Sequence, residues 1–162
     1  MKENNNTKKP KVFDVFLFLN EIDLLEIRFK TLYKTVDYFV ITEVDETFSG
    51  MKKPLVFSKY LERFNKFKKK IIYNPISKKE LEQLKHTKWA NYVSKLDRSL
   101  PYKHSGRKPI KLNNSLLREI EHRDSAILGF HKLAKPNDFI LLSDLDEIPN
   151  PQTVEIAIKN KI

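Results

Sequence analysis

The densest chemistry in this chain lies in FILLSDLDEIP, Phe139 to Pro149, where an apolar run stops at three carboxylates, Asp144, Asp146 and Glu147. Carboxylate oxygens are hard ligands that suit Mg²⁺ or Mn²⁺ held jointly with substrate phosphates. The residues before them, Phe139 to Leu142, are short, apolar and bounded by Asn137 and Pro149, which reads as a buried strand of a parallel sheet. In an open α/β sheet, ligands bind just beyond the carboxyl ends of strands, which is where this cluster falls. An acidic turn closing a core strand has the same composition, and a three-residue DxD recurs by chance.

A second set of chemical side chains lies on a helix predicted over Ser115 to Ala134. Leu116, Ile120, Ile127, Phe130 and Ala134 share one stripe of it, and Arg123, Asp124 and His131 project into the same sector. Neighbours in sequence diverge on a helix, so Arg123 and Asp124 do not form the usual helical pair with each other. Charges in an apolar sector are either paired in the core or aimed at a site. We favour a site for Arg123 and Asp124, and a satisfied core or edge histidine for His131. Arg118 points the opposite way and reads as a structural or surface residue.

Such a site needs a sheet beneath it, and the remaining segments supply one. Val12 to Leu19 is apolar except for Asp14; Asn20 follows as a helix cap, Glu21 and Asp23 make an acidic first turn, and Ile22, Leu25, Phe29 and Leu32 recur at helical spacing. Asp37 to Glu43 reads as a second buried strand, which completes a β-α-β unit with a right-handed crossover. Beyond a loop broken by Gly50 and Pro54, Phe57 to Lys70 predicts a helix, Ile71 to Tyr73 a short strand, and Lys79 to Leu96 a helix around Trp89. Pro101, Gly106 and Pro109 mark an irregular basic loop from Ser99 to Lys111. Asn150 caps a last helix opened by Pro151. The order β-α-β-α-β-α-α-β-α predicts a doubly wound α/β fold, with a mostly parallel sheet and helices on both faces.

At 162 residues the chain suits one domain, over residues 12–162, preceded by a polar and basic tail at residues 1–11 that is expected to be disordered. The absence of cysteine excludes a disulfide scaffold, a thiolate metal site and a cysteine nucleophile. There is neither the apolar core of a signal peptide nor an apolar run long enough to span a bilayer, which predicts a cytoplasmic protein. The net charge of +10 is concentrated in residues 51–111, which hold 18 basic and 4 acidic side chains. A block of this kind is first a solvated, lysine-rich face, and second a surface for anionic lipid at the inner face of a membrane, or for sugar phosphates. Without a Gly-rich or RNP-like motif, specific nucleic-acid recognition is not expected.

Five blocks in order, NEIDLLEIRFKTLY, VDYFVITEVDETFSG, KKPLVF, REIEHRDSAI and ILLSDLDEIP, resemble glycosyltransferase family 17. This family comprises the beta-1,4-mannosyl-glycoprotein 4-beta-N-acetylglucosaminyltransferases and their bacterial and viral relatives. The resemblance implies a GT-A, Rossmann-like nucleotide-sugar-binding fold and a UDP-sugar donor, UDP-N-acetylglucosamine. It further implies Mn²⁺ or Mg²⁺ bridging the donor diphosphate to the DxD, with Asp144 and Asp146 as metal ligands and Glu147 as a third ligand or a support. By the same resemblance, Glu21, Glu43 and the Thr47–Gly50 turn, with Ser49 and Gly50, lie beside the donor; Arg123 contacts the diphosphate or sugar and Asp124 orients it. Plainer roles stand beside these: Glu43 capping a loop, Glu21 and Asp23 serving the helix dipole, Gly50 permitting a tight turn.

The implied activity is inverting transfer of N-acetylglucosamine to a glycan acceptor, as in protein N-linked glycosylation and glycan biosynthesis. Members are usually much longer, so the resemblance also implies a fold incomplete at its C-terminus, a catalytic base beyond Ile162 and a chain that binds donor alone. Animal members carry an N-terminal anchor that is not seen here. Two alternatives lie outside the family. A haloacid-dehalogenase-type phosphatase also places a DxD after an apolar strand, and a non-enzymatic basic module would use residues 51–111 to bind anionic lipid or polysaccharide. Metal-dependent UDP binding separates the transferase from both.

Overall fold

The structure is a computed structural model and describes residues 9–84 and 114–161. Strands β1 (Val12–Leu17), β2 (Tyr38–Val44), β3 (Ile71–Ile76) and β4 (Phe139–Leu142) form one sheet in the order β3-β2-β1-β4, with every neighbouring pair parallel. Helix α1 (Ile22–Leu32) makes the crossover from β1 to β2, and α2 (Lys78–Leu84), α3 (Asn114–Ser125) and α4 (Pro151–Asn160) follow. Helical cover on both faces of a parallel sheet is the α/β class that the strand and helix spacing predicts.

Alternation along β1 and β2 assigns their side chains to the two faces. On one face Val12, Phe16, Phe39 and Ile41 pack with Leu25, Phe29 and Leu32 of α1, with Phe57, Phe64 and Phe67, and with Val154 of α4. Phe29 is the hub of this layer: its ring lies 4.6, 5.3 and 5.1 Å from those of Phe39, Phe64 and Phe67. On the other face Phe13, Val15 and Val40 meet Ala126 and Phe130.

Four expectations change in the structure. The strand at Phe139–Leu142 is an edge strand rather than a doubly buried one: Ile140 and Leu142 are 39% and 59% exposed, while Phe139 and Leu141 face the core. An all-apolar tetrapeptide does not reveal which side of the sheet is left uncovered. The long helix expected over Ser115–Ala134 ends at Ser125 and tightens into a 3-10 turn at Ala126–Gly129. There Gly129 comes so close to the sheet that a Cβ on it would sit 2.5 Å from Val40 Cγ1, and the Ser125 hydroxyl donates back to the His122 carbonyl at 2.6 Å.

Phe57–Lys70 winds with 3-10 rather than α geometry. Finally, α1 starts one residue later than expected, with Glu21 rather than Asn20 at its cap position. Of the helix expected over Lys79–Leu96, α2 accounts for the first part; residues 85–96 and the Ser99–Lys111 loop lie outside the described residues, as do residues 1–8 of the tail.

Candidate functional site

Because β2 lies on one side of β1 and β4 on the other, the chain reverses its winding direction at the β1–β4 pair. In open sheets of this kind the carboxyl ends of the two strands at such a reversal are the usual ligand position. The segment leaving β1 is Phe18–Glu21; the segment leaving β4 is Ser143–Glu147. Asp144, Asp146 and Glu147 therefore stand where the sequence places them, beyond the carboxyl end of β4.

The acidic segment is a closed turn. Glu147 N–H donates to the Asp144 carbonyl at 3.0 Å and Asp144 N–H to Glu147 Oε2 at 3.3 Å. Leu145 is buried between them, while Asp146 and Glu147 are exposed and Asp144 is half-buried. The far end of the turn is fixed by Asn150, whose Oδ1 accepts from Gln152 N–H at 2.9 Å and Thr153 N–H at 3.3 Å to cap α4.

Beneath the turn lies a buried guanidinium. Arg28, fully buried on the apolar side of α1, forms a bidentate pair with Asp14 of β1: Nε to Oδ2 at 2.9 Å and Nη2 to Oδ1 at 2.7 Å. Its Nη2 also donates to Ser143 Oγ at 2.7 Å. Its Nη1 donates to the carbonyls of Asp144, Leu145 and Glu147 at 2.6, 3.0 and 3.3 Å. Burial pushes the Asp14 carboxyl up from its ordinary value, and the Arg28 bonds oppose that shift. Neither residue was singled out as functional from the sequence, although two signals mark the pair. Asp14 is the one polar interruption of the β1 run, and Arg28 falls in register with Leu25, Phe29 and Leu32 on the buried stripe of α1.

Helix α3 joins the acidic turn to the loop after β2. Arg123 Nη2 reaches Asp144 Oδ1 at 2.6 Å and Glu119 Oε1 at 2.9 Å. Partial burial works against the Arg123 charge, but these two carboxylates outweigh it and raise the pKa. Asp124 is half-buried on the same helix. On the same helix, five residues before Arg123, Arg118 lies against Gly50, where a Cβ would come within 2.8 Å of its Cζ, and the ring of His122, next to Arg123, packs on Phe48 at 5.3 Å. Arg118, read from the sequence as a structural or surface residue, thus supports the Thr47–Gly50 turn.

That turn is built from its own polar groups. Gly50 N–H donates to the Thr47 carbonyl, the Thr47 and Ser49 hydroxyls bond at 2.8 Å, and Met51 N–H donates to Thr47 Oγ1. Gly50 has a φ of 90°, which a side chain rarely adopts. A cleft of about 380 Å³ opens beside the turn, at the carboxyl ends of β2 and β3, lined by Asp45, Glu46, Gly50, Ser77 and Lys78 among others.

Two other residues expected at the donor turn inward or stay local. Glu43 is fully buried, and its carboxylate accepts from Val56 N–H, Phe57 N–H, Lys53 Nζ and Tyr73 Oη at 2.6 to 3.1 Å. It organises the loop into the Phe57–Lys70 helix, and burial together with this carboxylate pushes the Tyr73 phenol up. Glu21 Oε2 accepts from Leu19 N–H and Asn20 N–H, folding over the exit of β1. His131 is exposed, with Nδ1 against the Ile127 carbonyl at 3.1 Å.

Among the described residues, no three Asp, Glu, His or Cys side chains converge into a cage for a metal. The donor set at the acidic turn nevertheless suits Mg²⁺ or Mn²⁺ of the kind bound by one or two carboxylates plus substrate phosphates and water, since Asp146 is exposed and Asp144, two residues before it, is half-exposed.

In comparisons with known proteins, the family described as Glycosyltransferase family 17 matches over residues 2–98. The matched range contains Asp14, Glu21, Arg28, Glu43 and the Thr47–Gly50 turn, while Arg123 and Asp144–Glu147 lie outside it. No curated protein and no solved structure matches the chain.

Proposed function

The chain belongs to glycosyltransferase family 17, and from that premise we propose that it binds a UDP-sugar, UDP-N-acetylglucosamine, at the carboxyl ends of β1 and β4. Membership of the family favours sugar transfer over the phosphatase alternative. The observation that carries the donor-site proposal is the pairing of Arg123 with Asp144 beside the exposed Asp146, at the carboxyl edge where the sheet reverses direction. An arginine fork matches a diphosphate, and the carboxylates of Asp144 and Asp146 would suit a divalent cation held together with it.

In this proposal Asp144 and Asp146 hold Mn²⁺ or Mg²⁺, with Glu147 steadying the turn. When held there, the cation would supply Lewis-acid stabilisation of negative charge on the diphosphate. Arg123 exchanges Asp144 for a diphosphate oxygen when donor arrives, and Asp124 orients the helix face next to it. The Thr47–Gly50 turn, held by Arg118 and Phe48–His122 contact, bounds the nucleotide side. Transfer to a glycan hydroxyl with inversion requires a base to take the acceptor proton as the anomeric carbon–diphosphate bond breaks. No described residue is assigned that role. The excess of basic residues in the sequence from 51 to 111 is suited to peripheral contact with an anionic membrane on the cytoplasmic side.

Titration calorimetry tests the donor site. UDP is expected to bind with Mn²⁺ present, EDTA to abolish the heat, and Asp146→Asn to reduce affinity at least about tenfold, as losing a metal-bound carboxylate does. Equal UDP affinity with and without metal would refute the assignment.

A further inference from the structure

The Asp14–Arg28 pair does more than fill the core between β1 and α1. A backbone carbonyl taken out of water needs a donor, and the Asp144–Glu147 turn offers three carbonyls on its inner side. All three converge on Nη1 of one guanidinium, at 2.6, 3.0 and 3.3 Å, while Nη2 holds the Ser143 hydroxyl at 2.7 Å. Ser143 Oγ in turn donates to the Glu147 carbonyl at 3.1 Å. The fork geometry is specific to arginine, because a lysine ammonium on this stem is a point donor that cannot span Asp14, Ser143 and three carbonyls together.

We infer that Arg28 is the positioning residue of the acidic turn: it draws the carbonyls of Asp144, Leu145 and Glu147 inward and so leaves the Asp144 and Asp146 carboxylates outermost, facing a divalent cation. Asp14 is the second half of the device. A lone buried guanidinium directly under the turn would repel that cation, and the bidentate Asp14 carboxylate at 2.7 and 2.9 Å cancels its charge. The pair thus combines donor geometry with electrical neutrality. The cation's role rests on the proposed donor site, whereas the ordering of the turn by Arg28 does not.

Buried ion pairs are often replaceable by apolar residues of similar size without loss of stability, whereas removing one partner strands the other charge. That separates positioning from mere structure. The double variant Asp14→Leu with Arg28→Met is expected to remain folded, because no buried charge is stranded, with a denaturation midpoint lowered by the loss of the donor to the three carbonyls. Its amides at residues 143–148 should exchange with deuterium about tenfold faster or more, since the donors to the turn are gone. Its Mn²⁺-dependent affinity for UDP should fall about tenfold or more, as for loss of a group that supports metal ligands.

Wild-type exchange and wild-type affinity in the folded double variant would overturn the inference. Should that variant not fold, Arg28→Lys, which keeps a cation opposite Asp14 but cannot fork, is read in the same way: unchanged exchange and affinity count against Arg28, and faster exchange with weaker binding count for it. If the wild type itself binds no UDP with Mn²⁺, the donor-site proposal fails, and the exchange comparison still decides whether Arg28 orders the turn.

Discussion

Arg123 has two anionic partners and room for a third. Its pairs with Glu119 and Asp144 are both about one-third or more exposed, at 36% for Arg123, 31% for Glu119 and 44% for Asp144, so solvent screens them and each is worth about 0.2–1 kcal/mol. A divalent cation approaching Asp144 competes with this pair. Arg123→Ala is therefore expected to strengthen binding of Mn²⁺ alone by up to about fivefold, the equivalent of about 1 kcal/mol, while weakening UDP in the presence of Mn²⁺. Arg118→Ala should leave binding of Mn²⁺ alone unchanged, because its guanidinium lies on Gly50 and the Phe48 carbonyl instead. Electron paramagnetic resonance of free Mn²⁺ measures the first effect and calorimetry the second. Identical behaviour of the two variants would remove Arg123 from the site.

At the scale of elements, the position of α3 depends on the place where it stops. Gly129 lets the 3-10 turn after α3 press on β2 and β3, with Val40 Cγ1 and Asn74 Cβ at 2.5 and 3.1 Å from where a Cβ would be. Gly129→Ala must push this segment off the sheet, an overpacking expected to cost about 1–3 kcal/mol in urea denaturation. Moving the segment also moves Arg123 relative to Asp144, so UDP affinity should drop with stability in this variant. A stability unchanged within about 0.5 kcal/mol would show that the contact relaxes without consequence. The 3-10 geometry of Phe57–Lys70 is an element-scale observation for which we have no physical account beyond the anchoring of its first turn by Glu43.

Over the whole molecule, the pH response reports the layer between α3 and the β2 loop. His122 is buried, and among the described residues its Nε2 has no hydrogen-bond partner. Burial lowers its pKa first; Lys53 and Arg118 add to that, while Glu46 and Glu121 oppose it. The unfolded chain therefore takes up a proton here more readily than the folded one. The stability associated with neutral His122 is fully present above the unfolded pKa of about 6.5, and is lost as pH falls through the lowered folded value. Denaturation midpoints should decline as pH falls below about 6.5, and His122→Phe, which keeps an aromatic ring on Phe48, should flatten that decline. An equally steep decline in the variant would assign the response to other groups.

Much of this molecule was legible in one dimension. Alternation and helical periodicity are local properties, so strands within Val12–Leu19 and around Asp37–Glu43, the helix between them and the capped start at Asn150–Pro151 emerged from the residues themselves, as did the parallel α/β class. The acidic cluster after Phe139–Leu142 was visible because an apolar strand must end where charge begins. Other features arise only when segments distant in sequence meet.

The order β3-β2-β1-β4 put an apolar tetrapeptide on an edge, with Leu142 exposed, since burial depends on neighbours rather than composition. Glu43 went into the core because four donors, three from the Lys53–Phe57 segment and one from Tyr73 of β3, reach it there. Arg28 came under the acidic turn across 116 positions of sequence, as the packing of α1 on β1 brought its fork beside Asp14 and the end of β4. Spacing sets which face of an element a side chain occupies; only tertiary packing sets what that face meets.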